Sequence, residues 1–165
     1  HVDKISNKIS RNIGILNRLR NILPEKAKLI IYNSLILSHI NFGILLWGHK
    51  CDRVLKLQKK AVRIVMNKKY NAHTEPILKN LGLLRIDDIL KLQELKFYYK
   101  YRNNMLPFYL QNIPLLNIND IHFYYTRGFR EMRYPLIKHE YACRYIRYSI
   151  PETVNQTKTV YWIRL

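Results

Sequence analysis

Between residues 52 and 69 the chain reads DRVLKLQKKAVRIVMNKK, which holds seven cations and no acid after Asp52. Wound as a helix at about 100° per residue, Val54, Leu57, Ala61, Ile64 and Val65 fall on one face. Arg53, Lys56, Lys60 and Arg63 cluster roughly opposite, Lys59 flanks them, and Lys68 and Lys69 lie just past the expected end near Asn67. A row of like charges can neutralise successive phosphates and release condensed counterions, so binding of that kind weakens steeply with salt. The competing reading is a solvated helix face. Such faces usually interleave both signs, and this one does not.

Other residue types offer less chemistry. The pair Asp87-Asp88 invites comparison with carboxylates that hold two metal ions, but it opens an apolar-periodic segment where Asp87 can serve as an N-cap. The histidines (His1, His39, His49, His73, His122 and His139) have no spacing that sets two on one helix face. The five glycines are scattered, so no phosphate loop is formed, and Ser34, Ser38 and Ser149 have no evident base. Cys51 and Cys143 are far apart without metal-ligand neighbours, which suits free buried thiols in a reducing, intracellular setting. Tyr98, Tyr99 and Tyr101 beside Lys96, Lys100 and Arg102 fit base stacking and core packing equally well. No catalytic residue and no metal site is expected in these 165 residues.

The whole composition points the same way as the basic row. Lys and Arg number 29 against 11 acids, a formal net charge of +18 with a pI near 10.0. An A·T-rich coding bias would supply Lys, Ile, Asn and Tyr, but it would not remove acids. Self-repulsion of this size usually answers to a polyanion, either nucleic acid or an anionic membrane. The richest apolar run, Leu29 to Trp47, is interrupted by Asn33, Ser34, Ser38, His39 and Asn41, so a core helix pair is expected there and no membrane span. The first residue is His1, with no signal-peptide pattern, as in a segment taken from a longer protein.

The positioning elements can be read from periodicity and punctuation. Val2, Ile5, Ile9, Ile13, Leu16 and Leu19 define an amphipathic helix, with Lys4, Lys8, Arg11 and Arg18 on its other side; Lys4, Lys8 and Arg11 join the candidate nucleic-acid contacts. Pro24-Glu25 is a helix start for a segment reaching about Ile40. Gly43 and Gly48 bracket a short apolar stretch ending at Trp47. Asp52 is the expected N-cap of the basic helix. Thr74-Glu75-Pro76 starts a short helix that Gly82 ends, and Asp87 caps a longer one to about Arg102. Residues 1–104 thus form a bundle of about five helices, a mainly α fold, with 21 basic and 7 acidic residues. Residues 105–165 have 8 and 4; they are rich in Tyr and Pro and are expected to be a largely irregular extension with one hairpin and a short helix after Pro151.

Several segments together resemble the region downstream of the catalytic palm in reverse transcriptases of non-LTR (LINE-type, jockey-like) retrotransposons. They are Lys8–Gly14, Leu19 with Leu23-Pro24, Leu29–Leu37 including Tyr32-Asn33, Asn41–Ile44 with Trp47-Gly48, Leu57–Ile64, Thr74–Leu78, Leu81–Leu84 and Ile89. In the tail they are His122, Thr126-Arg127, Arg133, Pro135, Ile146–Ser149 and Pro151. Their order and spacing extend over most of the chain. The resemblance implies a helical thumb that tracks the backbone of an RNA–DNA hybrid or RNA template–primer, with the 52–67 helix facing the duplex. It also implies palm and fingers in the same polyprotein, with catalytic Mg in that palm and no cofactor in this chain, and a setting in cytoplasm and nucleus. The chain departs from the full family pattern in having no palm, so polymerase activity is not expected of it alone. The alternative retained is a stand-alone basic helical RNA-binding module, although no recognised RNA-binding motif is present.

Overall fold

The computed structural model describes residues 2–115, 117–118, 121, 124, 131–136 and 145–162. These residues are mainly helical and include no strand. The helices are α1 (Val2–Arg18), α2 (Glu25–Tyr32), α3 (Ser38–Asn41), α4 (Ile44–Trp47), α5 (Asp52–Val65), α6 (Glu75–Asn80), α7 (Ile86–Arg102), α8 (Phe108–Gln111) and α9 (Ile146–Trp162). The chain forms two compact units, His1–Leu90 and Lys91–Leu165, so α7 contributes residues to both. Asn104, where the composition changes, lies two residues past the end of α7. Among the described residues no helix is long and apolar enough to cross a membrane.

In the first unit the apolar stripe of α1 packs along α5 and the α2–α3 segment. Ile5, Ile9, Ile13 and Leu16 of α1 join Tyr32, Ile36, Ile40, Ile44 and Trp47 in one core with Val54, Ala61, Val62, Ile64 and Val65 of α5. Each fully buried side chain of this size contributes about 1.5–3 kcal/mol relative to exposure. The segment expected as one helix from Pro24 to about Ile40 is continuous but widens into a π turn at Asn33–Leu37. Within that turn the Leu35 carbonyl accepts Asn12 Nδ2 of α1 at 2.7 Å. The Trp47 indole N–H donates to Phe42 O at 2.9 Å and closes the loop around left-handed Gly43.

Both expected aspartate caps are corrected by the structure. Cys51 occupies the cap position of α5, without a side-chain cap bond, and Asp52 lies in the first turn. At α7 the helix begins at Ile86, one residue ahead of Asp87. The orphan Ile86 N–H donates instead to Gln58 Oε1 at 3.1 Å, from the buried side of α5. Gln58 is 1% exposed, and its Nε2 donates to Tyr32 Oη at 3.2 Å and to Leu84 O at 2.9 Å. One buried amide therefore ties α2, α5 and the start of α7 together. Asp87 is engaged elsewhere: its Oδ2 pairs with Arg85 at 2.7 Å, and its Oδ1 accepts the Cys51 thiol at 3.4 Å. Burial and that hydrogen bond to Asp87 push the thiol pKa up to about 11. Cys51 itself is half-buried, less than expected, and Cys143 lies outside the described residues.

Helix ends follow their residue types. Gly82 (φ +62°) closes α6, with Leu83 N–H bonded to Leu78 O and Gly82 N–H to Lys79 O. This is the paired-bond ending that a left-handed residue permits. Asn67 (φ +51°) and Asn104 (φ +53°) close α5 and α7 in the same way.

In the second unit the described part of the tail includes a longer helix than expected. Helix α9 starts at Ile146, five residues before Pro151, which it carries inside. Pro151 cannot donate to the Arg147 carbonyl, yet the turn before it is tied by Tyr148 and Ser149 N–H groups to Tyr145 O. Asn155 of α9 holds Met132 by both backbone groups, at 2.9 and 3.0 Å. Thr153 Oγ1 donates to the buried Glu94 at 2.5 Å. Among the described residues an isolated antiparallel bridge joins Asn117 to Met132, and no strand forms the expected hairpin. His122, Thr126 and Arg127 lie outside the described residues.

Replacing Gln58 with Met keeps the volume but leaves Tyr32 Oη, Leu84 O and Ile86 N–H without a partner. Urea unfolding should show a loss of at least about 2 kcal/mol; a loss under about 0.5 kcal/mol would remove Gln58 from this role.

Candidate nucleic-acid interface

Helix α5 sets six residues, Val54, Gln58, Ala61, Val62, Ile64 and Val65, into the core. The opposite side is a groove of about 460 Å³ lined by Arg53, Lys56, Leu57, Lys59, Lys60, Arg63 and Tyr70. Five of these seven carry positive charge and none carries negative charge. Lys56 and Lys60 are exposed, while Lys59 and Arg63 are half-buried. Leu57, expected on the apolar face, sits at its edge and gives the groove an apolar floor. The arrangement offers phosphate-neutralising ammonium groups over a strip that can cover a sugar or base.

The expected contacts differ in how they are used. Arg53 pairs with Asp3 of α1 at 2.9 Å and reaches Asn7 at 3.4 Å, with both partners of the ion pair well exposed. Such a pair contributes about 0–1 kcal/mol and leaves the guanidinium accessible to an anion. Arg63 Nε donates to Ala72 O at 2.8 Å, and its guanidinium lies 5.7 Å from the centroid of the Tyr70 ring. Arg63 therefore holds the 66–74 connection while contributing charge. Lys68 and Lys69 are exposed on that connection. Lys4, Lys8 and Arg11 are exposed on α1 but do not line the groove. By helical angle they fall on the solvent side of α1, away from the buried stripe of Ile5, Ile9, Ile13 and Leu16, whereas Arg53 reaches Asp3 and Asn7.

Three residues missed by sequence reasoning position this surface. Lys28 is 1% exposed, and its Nζ donates to Arg20 O at 3.2 Å and Asn67 Oδ1 at 2.9 Å. Burial holds its pKa below the usual lysine value, with Glu25 opposing the shift and Arg20 adding to it. Arg20 Nη2 donates to Lys68 O at 2.9 Å. Tyr70, 83% exposed, stands at the groove. Only Tyr70 had a legible signal, an aromatic directly after two lysines. Lys28 and Arg20 look like ordinary surface cations in the sequence.

The Asp87-Asp88 pair lies at the start of α7, with Asp87 held by Arg85 and Cys51 and Asp88 exposed. Among the described residues no group of three or more His, Cys, Asp or Glu side chains could hold a metal ion. His39 and His49 are half-buried and His73 is exposed. Of the tyrosines weighed for stacking, Tyr99 is exposed whereas Tyr98 and Tyr101 are half-buried.

The two kinds of cation are separable by substitution. Arg63→Lys keeps the charge but loses the Nε geometry, so denaturant unfolding should show a loss of about 1–2 kcal/mol. Lys60→Gln, on the open side, should change stability by less than about 0.5 kcal/mol. Equal effects of the two would show that Arg63 does not hold the connection.

Compared with protein-family models, curated proteins and solved structures, the chain has no match.

Proposed function

We propose that these residues form the thumb and post-polymerase part of a retrotransposon-type RNA-directed DNA polymerase. In this reading they grip a template–primer duplex by its phosphates and leave nucleotide addition to a palm elsewhere in the polyprotein. The observation that carries the reading is the groove on α5, five cations and no acid around Leu57 and Tyr70. Contacts to phosphate fix position without reading bases, which suits an element that must slide as synthesis proceeds. The mainly helical fold of the described residues suits a thumb, and the ordered segments from the family resemblance include both α5 and the 74–84 turn. Mg²⁺ belongs, in this proposal, to the palm. The chain itself supplies grip and carries no catalytic residue.

A salt titration of binding to an RNA–DNA hybrid duplex tests the assignment. Lys56, Lys60 and Lys68 are changed together to Gln; Arg63 is spared because it supports the fold. The slope of log affinity against log salt should become shallower by roughly two to three units in the variant. An unchanged slope would mean that the α5 face is only solvated. Strong selectivity for one folded RNA over the hybrid would favour the stand-alone RNA-binding module instead.

A further inference from the structure

Tyr70 is a large aromatic left 83% exposed, and yet the segment that bears it is secured on several sides. Arg20 takes the Lys68 carbonyl, Arg63 takes the Ala72 carbonyl, and the buried Lys28 takes the Asn67 side chain. The left-handed Asn67 sets the direction of the chain as it leaves α5. A solvent-exposed ring gains nothing from such fixation in the free protein. A ring that must meet a flat partner does, because the ordering entropy is removed before binding.

The surroundings identify the partner. The Arg63 guanidinium lies over the ring at 5.7 Å, within cation–π range, and the exposed ring keeps a face open to solvent. Beside the ring, Lys56, Lys59 and Lys60 line a groove whose 460 Å³ matches a single small-molecule site. That volume suits one nucleotide. Bases inside a duplex are already stacked on each other, so an unpaired base is the one that presents a free π-face. We propose that Tyr70 is a stacking platform for an unpaired base, whose flanking phosphates lie along the basic groove of α5. This rests on the proposed nucleic-acid grip and adds to it a preference for single-stranded nucleic acid next to the duplex.

The test uses the full chain and two RNA–DNA hybrids, one blunt and one with a short single-stranded template overhang carrying 2-aminopurine. Circular dichroism checks that each variant is folded. Tyr70→Ala should weaken binding to the overhang probe by about ten- to a hundredfold, with the salt slope unchanged and the 2-aminopurine quenching lost. Tyr70→Phe should stay within about twofold of the parent, since the ring is retained, and Tyr70→Ala should weaken binding of the blunt duplex far less than binding of the overhang probe. If Tyr70→Ala binds the overhang probe as well as the parent while the Lys56/Lys60/Lys68 variant still flattens the salt slope, the grip stands and the stacking platform is refuted. If neither variant changes anything, the grip fails and the platform with it.

Discussion

Five cations on one short helix repel each other, and the opposite face of that helix has to hold it in place against the repulsion. In α5 that face buries five apolar residues and one amide. The amide, Gln58, cannot be buried without partners, and it finds them on Tyr32, Leu84 and Ile86. Its demands therefore fix where α2 passes and where α7 begins. The core and the charged groove are two consequences of one helix whose faces were assigned opposite tasks.

A second set of cations works inward. Lys28, Arg20 and Arg63 donate to carbonyl oxygens and an amide oxygen around the end of α5. Lys28 does so fully buried, at a cost in desolvation that lowers its pKa. Hydrogen bonds from charged donors are worth about 1.5–3 kcal/mol, more than neutral ones, and they add to the packing of Met66 and Ala72 against the core. The positive charge of the chain thus has two roles. Part of it faces solvent around Lys56 and Lys60, and part of it shapes the loop that carries Lys68, Lys69 and Tyr70.

Much of this was legible in the sequence, for a physical reason. A helix that is apolar on one side and charged on the other announces itself by period alone, so α1 and α5 lie where Ile5–Leu16 and Val54–Val65 place them. Gly82 and the Thr74-Glu75-Pro76 start are equally local signals. What period cannot reveal is a polar side chain recruited to the interior by distant partners, so neither Gln58 nor Lys28 stands out in the sequence. The same blindness placed caps on Asp52 and Asp87, since cap preference is local whereas Ile86 took its partner from another helix. The π turn at Asn33–Leu37 and the start of α9 before Pro151 carry no local signal of that kind. Of the candidate contacts, the α5 row was legible as a face; the separation of Lys4, Lys8 and Arg11 from it required the packing angle of two helices.

The central claim is that the groove side of α5 meets nucleic acid, and lysine footprinting addresses it most directly. The folded chain would be labelled with an amine-reactive reagent, alone and in the presence of an RNA–DNA hybrid, and each lysine quantified by mass spectrometry. The account predicts strong protection of Lys56, Lys60, Lys68 and Lys69, with Lys4, Lys8 and Lys79 reacting as they do in the free protein. Protection of Lys4 and Lys8 with Lys56 and Lys60 unchanged would contradict it and move the interface to the outer flank of α1.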